Sequence, residues 1–263
     1  MNIEKYFKIW KQLVSCAAGS YLSNRLESGG YFLGKLVRFG FFLLLIVSIF
    51  NYTNTMAGYS KYEVILFFLT FNLLDVLAQA FFRGIYMFQN DVKQGNFDYV
   101  LSKPVNPLFY SMSRITDIMD MIFLFPISGL IIFTVYKLPI DVGWENILGY
   151  AVFIGIGMVI VIAIHILAAC VTIWSVENEN TIWVYRDAMT VGRFPPEIFS
   201  VTVQAVFTFV IPIIVIVAFP TKTLLGLLSW QWMVFGAVYA ILFFAVSLII
   251  WKISLKKYSS ASS

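Results

Sequence analysis

Charge is scarce in this sequence, and histidine and cysteine are almost missing. Only 12% of the 263 residues are Asp, Glu, Lys or Arg, the one histidine is His165, and the two cysteines are Cys16 and Cys170. One histidine and two scattered thiols do not make a Cys and His metal site, and their spacing indicates neither a disulfide nor a compartment. The chain also lacks a G-x-x-x-x-G-K-[ST] phosphate loop, a G-x-G-x-x-G turn after a strand, an H-E-x-x-H helix and a G-x-S-x-G elbow. It therefore has no usual means of binding nucleotide or running zinc hydrolysis, and reads as a non-enzymatic chain that carries no cofactor. The first 30 residues have neither the compact apolar run nor the small-residue cleavage site of a signal peptide. Internal repeats of roughly 20 to 50 residues are missing too.

What the sequence has in abundance is apolar surface. Hydrophobic residues make up 60% of it, and the mean hydropathy is +0.84. They gather in six stretches, at about 32–52, 63–87, 114–136, 147–175, 198–219 and 230–252. At about 1.5 Å per residue each is long enough to cross a hydrocarbon layer about 30 Å thick. The fold class is therefore all-α, a polytopic membrane protein with six transmembrane helices. Threaded from a cytoplasmic N-terminus, 15 of the 18 Lys and Arg fall on the cytoplasmic side, leaving Lys61, Lys137 and Lys222 outside. That bias orients the chain, puts both termini in the cytoplasm, and explains a net charge of +4 without a nucleic-acid partner.

Residues 1–30 read as an amphipathic helix lying at the membrane surface. Tyr6, Ile9, Trp10, Leu13, Val14, Ala17 and Tyr21 share one arc at 100° per residue, and Lys5, Lys8, Lys11, Gln12 and Ser15 share the other. Its basic side suits anionic lipid. An ordinary packing helix is the competing reading.

The cytoplasmic loop 88–113 carries the most specific local signals. Gly95 and Asn96 predict a turn, and Asp98 begins or caps a short helix that has to stop before Pro104. A short helix between a turn and the Pro104 to Pro107 elbow is either a stiff lever or a plain connector with interfacial aromatics. Further on, Pro195, Pro196 and Glu197 fit the first turn of a fifth helix on the cytoplasmic side. Arg193 beside them either contacts a partner or marks the membrane boundary.

Within the apolar stretches, Asn72, Asp75, Gln79 and Arg83 recur at spacings of three, four and four. They fall on one helical face about 80° wide. Unpaired polar groups in hydrocarbon cost several kcal/mol, so this face looks at a pathway or at another helix. Asp75 is either paired, with Arg83 two turns away as one partner, or uncharged. His165 is either a proton-sensitive group or a hydrogen-bonded helix contact. Arg114 is placed to pair with Asp117 at i, i+3, with Asp120 beside them in an interface cluster. Pro126 and Pro212 predict kinks, Gly155 and Gly157 a close helix contact, and 220–229 a short re-entrant helix.

Several of these segments resemble the bacterial ABC-2 type permeases of the daunorubicin-resistance-like branch. The residues concerned are Gly95, Phe97, Asp98, Leu101, Lys103 to Leu108, Gly192 to Pro195 with Ile198 and Phe199, and the terminal run Tyr258 to Ser263. The similarity covers essentially the whole chain. It implies an elbow helix at 1–30, a six-helix transmembrane domain at 31–258 and a cytoplasmic tail at 259–263. It also implies an exporter in the bacterial plasma (inner) membrane, with two ABC ATPase subunits that hold the ATP and Mg, and a second permease, the same or a related chain. The family's coupling helix then falls on Gly95, Phe97, Asp98, Tyr99, Leu101, Lys103 and Pro104, with Arg193 as a further ATPase contact. Asn72, Asp75, Gln79, Arg83 and His165 become pathway or helix-contact residues. The reading from another class is a gradient-driven secondary transporter with Asp75 and His165 as its proton-linked groups.

Overall fold

The computed structural model describes residues 3–175 and 181–258. Apart from an isolated bridge between Met56 and Tyr59, the regular structure of those residues is helical. The small-residue tail 259–263 lies outside the described residues.

Helix α1 (Ile3–Ser23) has no fully buried residue. Tyr6, Ile9, Trp10, Leu13, Val14, Ala17 and Tyr21 are half-buried, whereas Lys5, Lys8, Lys11, Gln12 and Ser15 are exposed, as the 100° arc requires. Trp10 stacks on Phe81 and Tyr6 meets Phe109 edge-on, so the apolar arc rests on the bundle. Only Asn24 separates α1 from α2 (Arg25–Ile49).

Helix α3 (Lys61–Phe82) is the centre of the fold. A capping box of Ser60 and Glu63 starts it, and every residue from Val64 to Phe71 is buried, the signature of a helix apolar on all sides. Around it stand α2, α7 (Ile118–Tyr136) and α8 (Trp144–Trp174), while α12 (Trp230–Lys257) packs on α8. α7 runs unbroken through Pro126, so the kink expected there does not interrupt the helix. All five are long and apolar enough to cross a membrane. Their outer faces display Leu44, Phe125, Ile132 and Ile241, apolar side chains that suit lipid and not water. The chain passes between two ends of this bundle. At the far end α3, α8 and α12 begin, and at the near end α3 and α8 stop.

The second apolar stretch is shorter than its hydropathy suggests. α3 ends at Phe82, and α4 (Gly84–Lys93), α5 (Asn96–Ser102) and α6 (Pro107–Ser113) form a compact set at the near end. Gly84 makes the turn possible, because a Cβ there would collide with the backbone carbonyl of Ser111.

The fifth crossing corrects the sequence reading. A single helix over 198–219 is expected, starting at the near end. Instead α9 (Thr181–Met189) and two 3-10 turns, Thr190–Arg193 and Pro196–Ile198, carry the chain from the near end to the far end. Ile182 packs in the near-end cluster with Phe88, Phe97 and Trp251, whereas Glu197 reaches Lys222 and accepts a hydrogen bond from Tyr59, beside the start of α3. Helix α10 (Val201–Phe209) follows, then a break at Pro212, a π-helical turn at Ile214–Ala218 and α11 (Phe219–Leu224). The two halves are bent by 85°. The break agrees with a proline that removes a backbone donor. The inserted segment is Ile214 to Leu224, buried against α8, and not residues 220–229. Of the two glycines expected to let α8 pack closely, Gly157 meets the Ile216 backbone, while Gly155 faces open space.

Candidate functional site

At the near end, α5 is a short helix fixed at both ends by backbone chemistry. Gly95 takes a left-handed conformation, φ 72°, that residues with a Cβ avoid, and Lys103 is extended because Pro104 follows it. Phe97 is fully buried, its ring edge-on to Phe88, Trp251 and Tyr258. The Tyr258 hydroxyl donates to Asp98 at 3.0 Å, tying α5 to the residue that ends α12. Burial, reinforced by the Asp98 carboxylate, pushes the Tyr258 phenol up to about 12, so it remains a donor at neutral pH. Phe97 therefore faces inward and does not form an outer contact surface, contrary to the sequence expectation, while Asp98 is half-buried at the Tyr258 contact. Tyr99, 71% exposed, with Leu101, Lys103 and Pro104, faces out.

The elbow after α5 is held from the other side by α1. Lys5 donates to the carbonyl of Pro104, and the backbone N–H of Asn106 donates to the Tyr6 hydroxyl. Asn106 also caps α6, its side chain accepting from the Leu108 and Phe109 N–H groups, with Pro107 in the first turn. Helices α1 and α5 and the end of α12 thus share one set of contacts.

Three ion pairs tie the near end together, one within the α4 to α6 platform, one at its junction with α7 and one between α2 and α7, and none is the local pair that the spacing suggests. Arg114 binds Asp91 at 2.7 Å, not Asp117. Burial pushes the Asp91 carboxyl up, and Arg114 pulls it back. Asp117 caps α7 and pairs with Arg83, and Asp120 pairs with Lys35 of α2. Asp117 and Asp120 are both fully buried, so each needs its cation.

The polar stripe of α3 divides. Arg83, engaged by Asp117 and stacked over Tyr31, is not the partner of Asp75. Gln79 is buried and donates to Tyr86 at 2.7 Å. Asn72 donates to the Phe68 carbonyl, and Asp75 faces Arg186 of α9 at 3.8 Å. These last two line a cavity of about 380 Å³ between α2, α3 and the α9 segment. Its other polar lining is basic, with Lys35, Arg38, Arg186 and Arg193 against Asp75 and Asp187. Phe39, Phe42, Phe68, Phe71 and Phe123 form its apolar wall. Arg193 lies over the rings of Phe42 and Phe71, at 4.2 and 5.0 Å. It is inside the bundle, which corrects its expected place on the near-end surface. Gly192 beside it packs against Val217, and this close approach brings the turn into the core.

His165 does not reach this cavity. It is fully buried, with Nδ1 2.8 Å from the Val161 carbonyl and the rings of Phe82, Tyr86 and Tyr185 around it. Sequence reasoning missed Lys35, Arg38 and Arg186 as site residues. The signal it offered for Lys35 and Arg38 was their placement, two cations inside the apolar stretch 32–52, and it offered none for Arg186.

The fold is that of an all-α polytopic membrane protein. The chain matches the family model described as ABC-2 family transporter protein over residues 36–262, and it belongs to that family. Neither a curated protein nor a solved structure matches it. The family is a membrane component of transporters that work in general with ABC ATPase subunits.

Proposed function

We propose that this chain is the transmembrane permease subunit of an ATP-binding cassette exporter. ATP and Mg are held by separate ATPase subunits, two per complex, beneath a pair of permeases formed by two copies of this chain or by this chain and a relative. The near end then faces the cytoplasm of a bacterial cell, with both termini there and the bundle in the plasma (inner) membrane.

The way α5 is held carries this reading. Tyr99, Leu101, Lys103 and Pro104 present an aromatic anchor with a basic rim, a composition suited to a protein interface. Behind them Gly95 sets the turn, Phe97 and Asp98 pass any displacement to α4 and the end of α12, and Pro104 passes it to α1. Movement of the ATPases swings α5, and the three ion pairs carry the swing to α2, α3 and α7, rocking the walls of the cavity between two access states. Asn72 and Asp75 lie on the pathway side of α3, and Gln79 and Arg83 join helices. A gradient-driven mechanism through Asp75 and His165 is not favoured, because the histidine is sealed away from the cavity that Asp75 lines.

Co-purification tests the proposal. The tagged chain is expected to bring down an ABC ATPase from its native membrane, and Tyr99→Ala with Lys103→Glu to reduce that yield about tenfold, as loss of an interface anchor does. An unchanged yield, or transport that persists without ATP while a proton gradient stands, defeats it.

A further inference from the structure

The cavity holds more positive charge than the chain neutralises. Lys35 is taken by Asp120, which lies outside the lining, Asp75 faces Arg186, and Asp187, the other acid of the lining, is exposed, so four cations meet three carboxylates. Among the described residues no ion pair is recorded for Arg38 or Arg193, and the Arg193 Nε is buried without a hydrogen-bond partner. An arginine within the hydrocarbon zone of a bilayer costs a few kcal/mol or more unless an anion or water meets it. Two such guanidinium groups facing one cavity make it a receptor for negative charge.

The cavity does not end at its basic part. Phe42, the ring beneath Arg193, also belongs to a shallow, open groove on the lipid-facing side of α2, formed by that helix and Tyr52 alone and running past Phe41, Leu44, Leu45 and Ser48. Its surface is almost wholly apolar. From Phe41 to Tyr52 the groove is about 16 Å long at about 1.5 Å per residue. Basic cavity and apolar groove thus meet at a single side chain.

We propose that the two form one site for an anionic amphiphile, with a phosphate or carboxylate head held by Arg38 and Arg193 and an aliphatic chain lying along α2. This deepens the permease reading and rests on it, since it names the class of substrate that the pathway accepts. The head volume falls at the small end of ligand pockets, which run from about 300 to 1,000 Å³. Charge selects against a cationic amphiphile, because Lys35, Arg38, Arg186 and Arg193 line the cavity against two carboxylates, of which Asp75 already faces Arg186. A ligand entering from the near-end leaflet keeps its lipid orientation, head toward the near end and chain toward the far end.

Native mass spectrometry of the purified full-length chain in a neutral detergent tests this, with hexadecyl phosphate, hexadecyltrimethylammonium and propyl phosphate as probes. The long phosphate is expected to bind at least tenfold more tightly than the ammonium. Arg193→Gln and Arg38→Gln should each weaken it about tenfold or more, and Leu45→Trp, which fills the groove, should weaken the long phosphate but not the short one. Arg38 is exposed, so its variant decides the matter even if Arg193→Gln fails to fold. Equal binding of both charges, or unchanged affinity in the Arg38 variant, overturns the site. So does a Leu45→Trp variant that loses a dimer and keeps its affinity, which would assign the groove to a second copy of the chain. No ATPase is present in the assay. Failed binding with the ATPase still co-purifying therefore removes the substrate class alone, and intact binding without co-purification removes the permease reading alone.

Discussion

Phe97 and Tyr99 stand two residues apart on a seven-residue helix and face opposite ways, one fully buried and the other 71% exposed. Their substitution should separate stability from contact. Phe97→Ala is expected to cost about 3 to 5 kcal/mol, the usual loss for a buried aromatic, and Tyr99→Ala to stay within about 0.5 kcal/mol of the parent. Thermal melting in detergent measures both. A second prediction concerns Asp120. Lys35→Met leaves its buried carboxylate unpaired and should destabilise by about 3 to 5 kcal/mol, and Asp120→Leu added to it should restore most of the loss. A double variant no better than the single would show that the loss does not come from stranding the Asp120 carboxylate. At this scale the sequence reveals residue types and hides partners. The i, i+3 spacing of Arg114 and Asp117 suggests a local pair, yet their partners are Asp91 and Arg83, brought up by other helices.

Among the elements, α5 was the most legible. A glycine turn before it and a proline after it bound the helix by backbone geometry; the stop before Pro104 holds, while the helix begins at Asn96 with Gly95 at its N-cap, two residues before the start expected at Asp98. Gly95→Ala forces a Cβ into a left-handed residue and should cost about 1 to 2 kcal/mol. Tyr258→Phe keeps the ring on Phe97 while removing the donor to Asp98. It should cost about 1 kcal/mol and speed amide exchange over Asn96 to Ser102, while exchange in α8 stays unchanged. The fifth crossing was the least legible element. Pro212 marks the break, but no residue marks the 85° bend, because the same apolar run satisfies a straight lipid-facing helix equally well. Pro195, Pro196 and Glu197 read as the first turn of a fifth helix at the near end, with Arg193 at the boundary beside them. They enter the bundle because Gly192 fits against Val217 and because Glu197 finds Lys222 and Tyr59 at the far end.

For the whole molecule, the two ends of the bundle must open to opposite sides of the membrane. In a Cys16→Ser background, with Cys170 buried, a cysteine at Tyr99 should react with a membrane-impermeant thiol reagent from one side only. Cysteines at Tyr52 and Glu197 should react from the other. Glu197 reacting together with Tyr99 would refute the composite crossing and restore a fifth span that begins at the near end.

The sequence alone determined the solvent of this protein, its helical class and the amphipathic face of α1, because hydropathy and 3.6-residue periodicity are properties of contiguous residues. The stop of α5 belongs to the same set, since Pro104 acts on the backbone beside it. Only the tertiary structure decided which acids neutralise which cations, which part of the α3 stripe faces a cavity, and that Arg193 lies within the bundle. Those outcomes depend on distances between helices far apart in the chain, and a one-dimensional pattern carries no record of them.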